Sequence, residues 1–334
     1  MRLGYFSRLL KNKKITLFLV IYLVFLSVTV YFFKVGSPPD GEVNVYKGIN
    51  QGEQIGFMGF TILFSATTLK DAGVNLVVAE VPIFIDHEGS VMEFPYYRQL
   101  LIHNIEAAHR NGLKYCIQFM VAYLGEDYNR FTIPERIWPN FFPQYNKLVL
   151  EYADLAEKHG VEMFAPLIEA DGFLGMQPLL NEDSLRGFEK ASDWGQEILL
   201  EIRQRYHGSI LWRSGITSNG PEDGTDIGRW ETFRDNVYIN FTGYDYIGFT
   251  VATWQVVNWW EQKDPEAERR YREYIGEVIE YTLMCAERDG CKGVIATEFG
   301  EERVFEEGEG KLSGYFFWFE KPDVIRYWYK ERLP

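Results

Sequence analysis

Two glutamates stand where short apolar runs stop. Met163 to Ile168 carries no charge and ends in Glu169, and Gly293 to Thr297 does the same and ends in Glu298. Each run has the length of a buried strand. An acid at the carboxyl end of one such strand reads equally well as a solvated loop residue or as a reactive group. Two of them favour the second reading if their strands belong to a closed β/α barrel, because a barrel gathers the carboxyl ends of all its strands around one mouth. A pair of carboxyl groups facing each other across such a mouth is suited to splitting the acetal link between sugars. A separation of about 5–5.5 Å gives retention of anomeric configuration, and about 6.5–9.5 Å gives inversion. Asp171, two residues beyond Glu169, is a rival for one of the two roles. The strand-end position favours Glu169.

The elements needed to hold these acids follow from the pattern of the chain. Strand-like runs are expected at Val43 to Ile49, Asn75 to Val81, Lys114 to Val121, Val161 to Ile168, Ser209 to Trp212, Tyr246 to Val251, Gly293 to Thr297 and Gly314 to Phe319. Helical stretches alternate with them. Tyr97 to Arg110 ends at Asn111-Gly112, a natural C-terminal stop. Phe142 to His159 places Tyr145, Leu148, Tyr152 and Leu155 at helical spacing and ends at Gly160. Ser192 is expected to cap a helix reaching Tyr206, with Trp194, Ile198 and Ile202 on one stripe. Pro265 to Asp289 reads as a long helix and Asp323 to Lys330 as a closing one, whereas residues 215–228 are turn-rich. Alternating strands and helices imply a parallel sheet, doubly wound or closed. Eight units within one domain predict the closed form, a (β/α)8 TIM barrel of the α/β class.

The N-terminal part has another character. Ile15 to Phe33 contains no charge, Pro or Gly, and its length matches the roughly 17–25 apolar residues that span a bilayer rather than the roughly 7–15 of a signal-peptide core. An uncleaved transmembrane anchor is expected, with a cleaved signal as the alternative. Arg2, Arg8, Lys11, Lys13 and Lys14 precede this span and no acid does, so the positive-inside rule places the N-terminus in the cytoplasm and the rest outside. The expected organisation is a basic tail (1–14), the anchor (15–33), a Pro- and Gly-containing linker (34–44) and the barrel (45–334). With the five basic residues of the tail set aside, 29 basic residues face 48 acidic ones, a net charge of −19. That balance disfavours nucleic acid as a partner and is compatible with a neutral glycan. Cys116 lies in an apolar run, and Cys285 and Cys291 flank a turn and could pair outside the cell.

Four stretches carry a resemblance. Residues 69–77 (LKDAGVNLV), 152–164 (YADLAEKHGVEMF), 245–249 (DYIGF) and 297–300 (TEFG) resemble the first helix with the second strand, the third helix with the fourth strand, the sixth strand and the seventh strand of glycoside hydrolase family 113. That family belongs to the clan of retaining β/α-barrel glycoside hydrolases, and its studied members are β-mannanases. The likeness extends diffusely from about Lys47 to Tyr329. It implies that Glu169 is the acid/base and Glu298 the nucleophile, with an oligo- or polysaccharide as substrate and no cofactor. Two positions depart from the pattern. Ile168 stands where many clan members have an Asn that helps hold the sugar 2-hydroxyl, and the aromatic after the sixth strand is Trp254 rather than a Tyr near position 252.

Sugar rings have apolar faces, so aromatic residues near strand ends are candidate stacking surfaces. Trp318, Trp254 and Tyr123 are the candidates, and Asp86 and His87, after the second strand, could hydrogen-bond a sugar. The competing role for each is core packing or a plain loop. No H-E-x-x-H or G-x-S-x-G motif occurs, which argues against zinc-protease and serine-hydrolase chemistry. The glycines around Lys311 do not make a phosphate loop, since Leu312 follows in place of Ser or Thr.

Overall fold

The computed structural model describes residues 45–50, 66–124, 133–175, 182–215, 233–250, 265–299, 311–318 and 326–332, all within the unit Ser37–Pro334. Among them eight parallel strands close a barrel. These are β1 (Tyr46–Asn50), β2 (Leu76–Ile85), β4 (Lys114–Tyr123), β5 (Met163–Ala165), β6 (Ser209–Ser214), β7 (Tyr246–Thr250), β8 (Gly293–Phe299) and β9 (Gly314–Trp318). Their order is sequential, and β1 closes the circle by pairing with β9 on one side and β2 on the other. The short β3 (Val91–Glu93) runs antiparallel to the end of β2. The helices are α1 (Tyr97–Arg110), α2 (Trp138–Lys158), α3 (Ala170–Gly175), α4 (Glu182–Arg203) and α5 (Pro265–Asp289). A last π-helical turn spans Tyr327–Arg332.

Side-chain alternation divides the core in two. Leu76, Val78, Cys116, Met163, Ala165, Leu211, Ile295 and Phe316 form a small apolar cluster from alternate positions of six strands, the filling of the barrel lumen. The larger cluster lies between the strands and the helices, where Val77, Ile117, Phe164 and Ile247 meet Ile105, Tyr145, Ile198 and Val278. Strands apolar on both faces explain why the runs read as continuous rather than alternating. Gly48 is required by this filling, since a Cβ there would lie 2.4 Å from the Phe316 ring. The seam is clasped from outside by Tyr329, whose hydroxyl lies 2.5 Å from the Gly48 carbonyl and 2.8 Å from that of Tyr315.

The structure differs from the sequence expectation in three places. The fourth barrel strand is not continuous to Ile168; β5 stops at Ala165, because Pro166 lacks an N–H for the ladder. Pairing resumes at an isolated bridge between Ile168 and Arg213. Ser192 does not cap α4, which starts ten residues earlier; Phe188 and Ala191 are buried and extend its apolar stripe backwards. The Ser192 hydroxyl instead accepts the Asn240 N–H at 3.0 Å. The hairpin strand β3 was not anticipated. Cys285 and Cys291 are free thiols and do not pair. Among the described residues no helix is long and apolar enough to cross a membrane, and the expected span over 15–33 lies outside them.

Candidate active site

The carboxyl ends of the strands carry a polar layer above the apolar filling. Asn50 from β1, Glu80 from β2, Gln118 from β4 and Arg213 from β6 are all buried there. The Gln118 amide donates to Asn50 Oδ1 at 2.8 Å and to Glu80 Oε1 at 2.9 Å, and the Arg213 guanidinium meets the same Glu80 oxygen at 3.3 Å. Burying a charge is costly unless it is paired, so the Glu80–Arg213 contact is what lets both sit inside the barrel. Among the described residues Asn50 Nδ2 and Gln118 Oε1 have no partner, so this floor is polar beyond its own needs. These residues were passed over at the level of sequence. The available signal was a single charged or amide residue in phase with the inward-facing apolar positions of a strand, as Glu80 is with Leu76 and Val78 and Gln118 with Cys116.

Glu169 sits at the rim of this layer. Its N–H donates to the Arg213 carbonyl at 2.9 Å, the preceding Ile168 N–H donates to Phe119 O at 2.9 Å, and α3 begins at Ala170. Between these constraints its backbone takes φ +50°, a left-handed conformation that non-glycine residues rarely adopt. Such strain persists where the surroundings over-determine it, and it concentrates at functional sites. The side chain is partly exposed, and its Oε1 accepts the Thr250 hydroxyl at 2.5 Å.

Thr250 is also where the second acid comes into register. Strand β8 has a bulge against β7: Phe249 pairs with Ala296, but Thr250 pairs with Glu298. The extra residue is Thr297, which is buried and comes so close to β7 that a Cβ on Gly248 would lie 2.4 Å from its methyl. The bulge therefore sets Glu298 level with the residue that holds Glu169. Bulges are frequent beside active sites because one inserted residue resets strand register. The side chain of Glu298 lies outside the described residues.

Asp171, the rival acid, is fully buried in the first turn of α3. One of its oxygens accepts the Gly215 N–H at 2.8 Å and the other accepts the Ser214 hydroxyl. Burial pushes its pKa up to about 6 against those two hydrogen bonds, with the charge of Glu169 adding to the rise. An acid so enclosed cannot reach a substrate, and its carboxyl group ties α3 to the end of β6.

The expected binding residues fall in different places. Tyr123 is 1% exposed and packs in the layer between sheet and helices, its hydroxyl accepting from Arg136 at 2.8 Å, so it does not face the mouth. An odd position on β4 points outward when Cys116 and Gln118 point inward. Asp86 organises the β2–β3 turn by accepting the N–H groups of Glu88 (2.9 Å) and Ser90 (2.8 Å), and the Ser90 hydrogen bond leads in holding its carboxyl below the usual range. His87 is exposed on that turn, 3.9 Å from Glu88. Trp318 ends β9 in register with Asn50, while its side chain lies outside the described residues, as does the whole of Trp254. Among the described residues no three His, Cys, Asp or Glu side chains gather as a metal site would need.

With this arrangement established, comparison with solved structures gives a consistent picture. The fold is that of barrel glycoside hydrolases. The glycoside hydrolase family 113 β-mannanase of Alicyclobacillus acidocaldarius superposes with a TM-score of 0.56 over 84% of this chain and 88% of its own, at 16% identity. The endo-β-1,4-mannanase of Thermotoga petrophila gives 0.58 over 88% and 78% at 12% identity, and the endo-1,4-β-mannanase of Rhizomucor miehei 0.54 over 86% and 90% at 15%. No protein-family model matches the sequence, and no curated protein matches it either. At these identities the likeness is one of architecture, and it fits the barrel and strand order expected from the four resembling stretches.

Proposed function

We propose that this protein is a retaining glycoside hydrolase acting on a β-linked glycan of the mannan type, with Glu169 as acid/base and Glu298 as nucleophile. The observation that carries this reading is the Thr250 contact. The partly exposed Glu169 carboxyl group is bound by the residue that stands in register with Glu298. Thr250 thus links both acids to one strand end, which supports a double displacement; that mechanism requires the two carboxyl groups to lie about 5–5.5 Å apart. That several of the superposing barrels are mannanases adds weight to the choice of glycan.

In this mechanism Glu298, ionised, attacks the anomeric carbon while Glu169 gives its proton to the leaving oxygen. The resulting glycosyl ester is hydrolysed by a water from which Glu169, now ionised, takes a proton. Glu169→Ala should slow glycans with poor leaving groups by about 10²–10⁴-fold and leave aryl glycosides with activated leaving groups far less affected. Equal losses on both would remove Glu169 from the role. Nuclear magnetic resonance of the first-formed product on manno-oligosaccharides should show the β-anomer.

A second reading has one observation in its favour. Ile168 occupies the position of a sugar-binding Asn and is buried at 6% exposure, so it offers no polar group to a 2-hydroxyl. A barrel that binds glycan without turning it over would show saturable binding to a β-glycan panel and no reducing ends released. We also propose that residues 15–33 tether the barrel outside the cytoplasmic membrane. Release of the full chain by alkaline carbonate would rule that out.

A further inference from the structure

We propose that Thr250 is a positioning residue for Glu169: its hydroxyl occupies Oε1 and so assigns the transferable proton to Oε2. This rests on Glu169 being the acid/base. A carboxyl group has two oxygens and one proton to give, and free rotation would leave the proton on the wrong oxygen for part of the time. Here the rotation is opposed at both ends. The main chain of Glu169 is fixed to β6 through Arg213 O, and the carboxyl group is fixed to β7 through Thr250 Oγ1 at 2.5 Å. Thr250 suits this task. It is 4% exposed and sits within a barrel strand, and β-branching makes its χ1 stiff. Because Thr250 pairs with Glu298 across the bulge, the residue that orients one acid also shares the local backbone of the other.

A hydroxyl that donates to a carboxyl group favours its ionised form. Among the described residues, the charged groups near Glu169 are Asp171 on α3 and Arg213 of β6, whose carbonyl accepts the Glu169 N–H and whose guanidinium pairs with Glu80 of β2. Replacement of Thr250 by Val leaves every one of them in place and keeps the shape of the side chain. Thr250 itself loses no proton at any step. Glu169 passes its Oε2 proton to the leaving oxygen and regains one from water.

The test compares T250V and T250S with the wild-type protein by two readouts. Carbon-13 titration of the Glu169 carboxyl group, assigned with E169Q, should move to higher pH in T250V and keep wild-type behaviour in T250S. On manno-oligosaccharides with poor leaving groups, T250V should lose about 10–100-fold in kcat with KM within about twofold, and T250S should recover most of that loss. The alkaline limb of kcat/KM should move upward with the titration. An unshifted titration in T250V, or a T250S variant no better than T250V, overturns the proposal. If T250V does not fold, T250A supplies the same comparison with T250S. Absence of any glycosidase activity in the wild-type protein would overturn the proposed function, whereas the titration would still decide whether Thr250 and Glu169 are coupled.

Discussion

The two ends of the barrel treat an enclosed aspartate in opposite ways. Asp245 precedes β7 at the amino end. Burial works to raise its pKa, but Arg203, Lys292 and the Ile210 N–H outweigh it and hold the carboxyl below the usual range. Those partners lie at 2.5, 2.8 and 2.7 Å. Asp171 lies just past β5 at the carboxyl end, fully buried, with a hydroxyl and one N–H but with Glu169 as its charged neighbour, and its pKa rises to about 6. One end spends its ion pairs on holding α4 and three strand starts together. The other gives Asp171 only neutral hydrogen-bond donors among the described residues, keeps a glutamate in a left-handed conformation and leaves amide groups unmatched there. A barrel separates stability from chemistry along its axis in this manner, and the charge environment of the two aspartates shows where the division falls.

The sharpest way to break the comparison is at the mouth. Glu298→Ala should abolish turnover while leaving thermal unfolding near that of the wild-type protein, and azide should restore part of the rate with a product of inverted configuration. Wild-type rates in that variant would end the assignment of the carboxyl end as the reactive one.

At the amino end the expectation is reversed. Asp245→Ala strips partners from Arg203, Lys292 and a strand N–H, and should cost about 1–3 kcal/mol in a denaturant titration with kcat of the folded protein unchanged. Because the folded-state pKa of Asp245 is depressed, its contribution is present above about pH 4 and is lost as pH falls through the folded value. The difference between variant and wild type should therefore shrink in acid.

Asp171→Asn should act with the opposite sign. A folded-state pKa of about 6 against an unfolded one near 3.8 means that the wild-type protein loses stability as pH rises from about 4 to 6 and holds a constant penalty above that. Asn can accept from Gly215 N and donate to the Ser214 hydroxyl. The variant should be more stable than wild type at pH 7–8 by roughly 1–3 kcal/mol, with the gain disappearing near pH 4. A gain that persists at pH 4 would mean that charge is not the cause. The smallest effect concerns the cysteines. A reducing agent should leave the melting temperature unchanged, since Cys285 and Cys291 are free.

The architecture was legible because parallel strands buried on both faces write themselves as apolar runs, and the helices between them as periodic stripes. Pro265–Asp289 was matched to the residue by α5. The break at Pro166 is also written in the sequence, but in a run this apolar one missing N–H is a weaker signal than the hydrophobic pattern. Tyr123 was misplaced by a single residue of parity on β4. The polar floor was missed because Glu80, Gln118 and Arg213 are far apart along the chain, each a lone polar residue in an apolar strand.

What the sequence alone determined is the set of elements and their order, because local hydrophobic period and turn residues are properties of short windows. It also marked Glu169 and Glu298, because an abrupt end to an apolar run is a local event. Which partners those residues meet was decided only by closure of the barrel. The Thr250–Glu169 contact joins residues 81 positions apart, and the bulge that levels Glu298 with Thr250 arises from packing between β7 and β8, where Thr297 fills the space that Gly248 leaves open. No short window contains either fact, because register between distant strands is fixed by how the side chains fill the lumen.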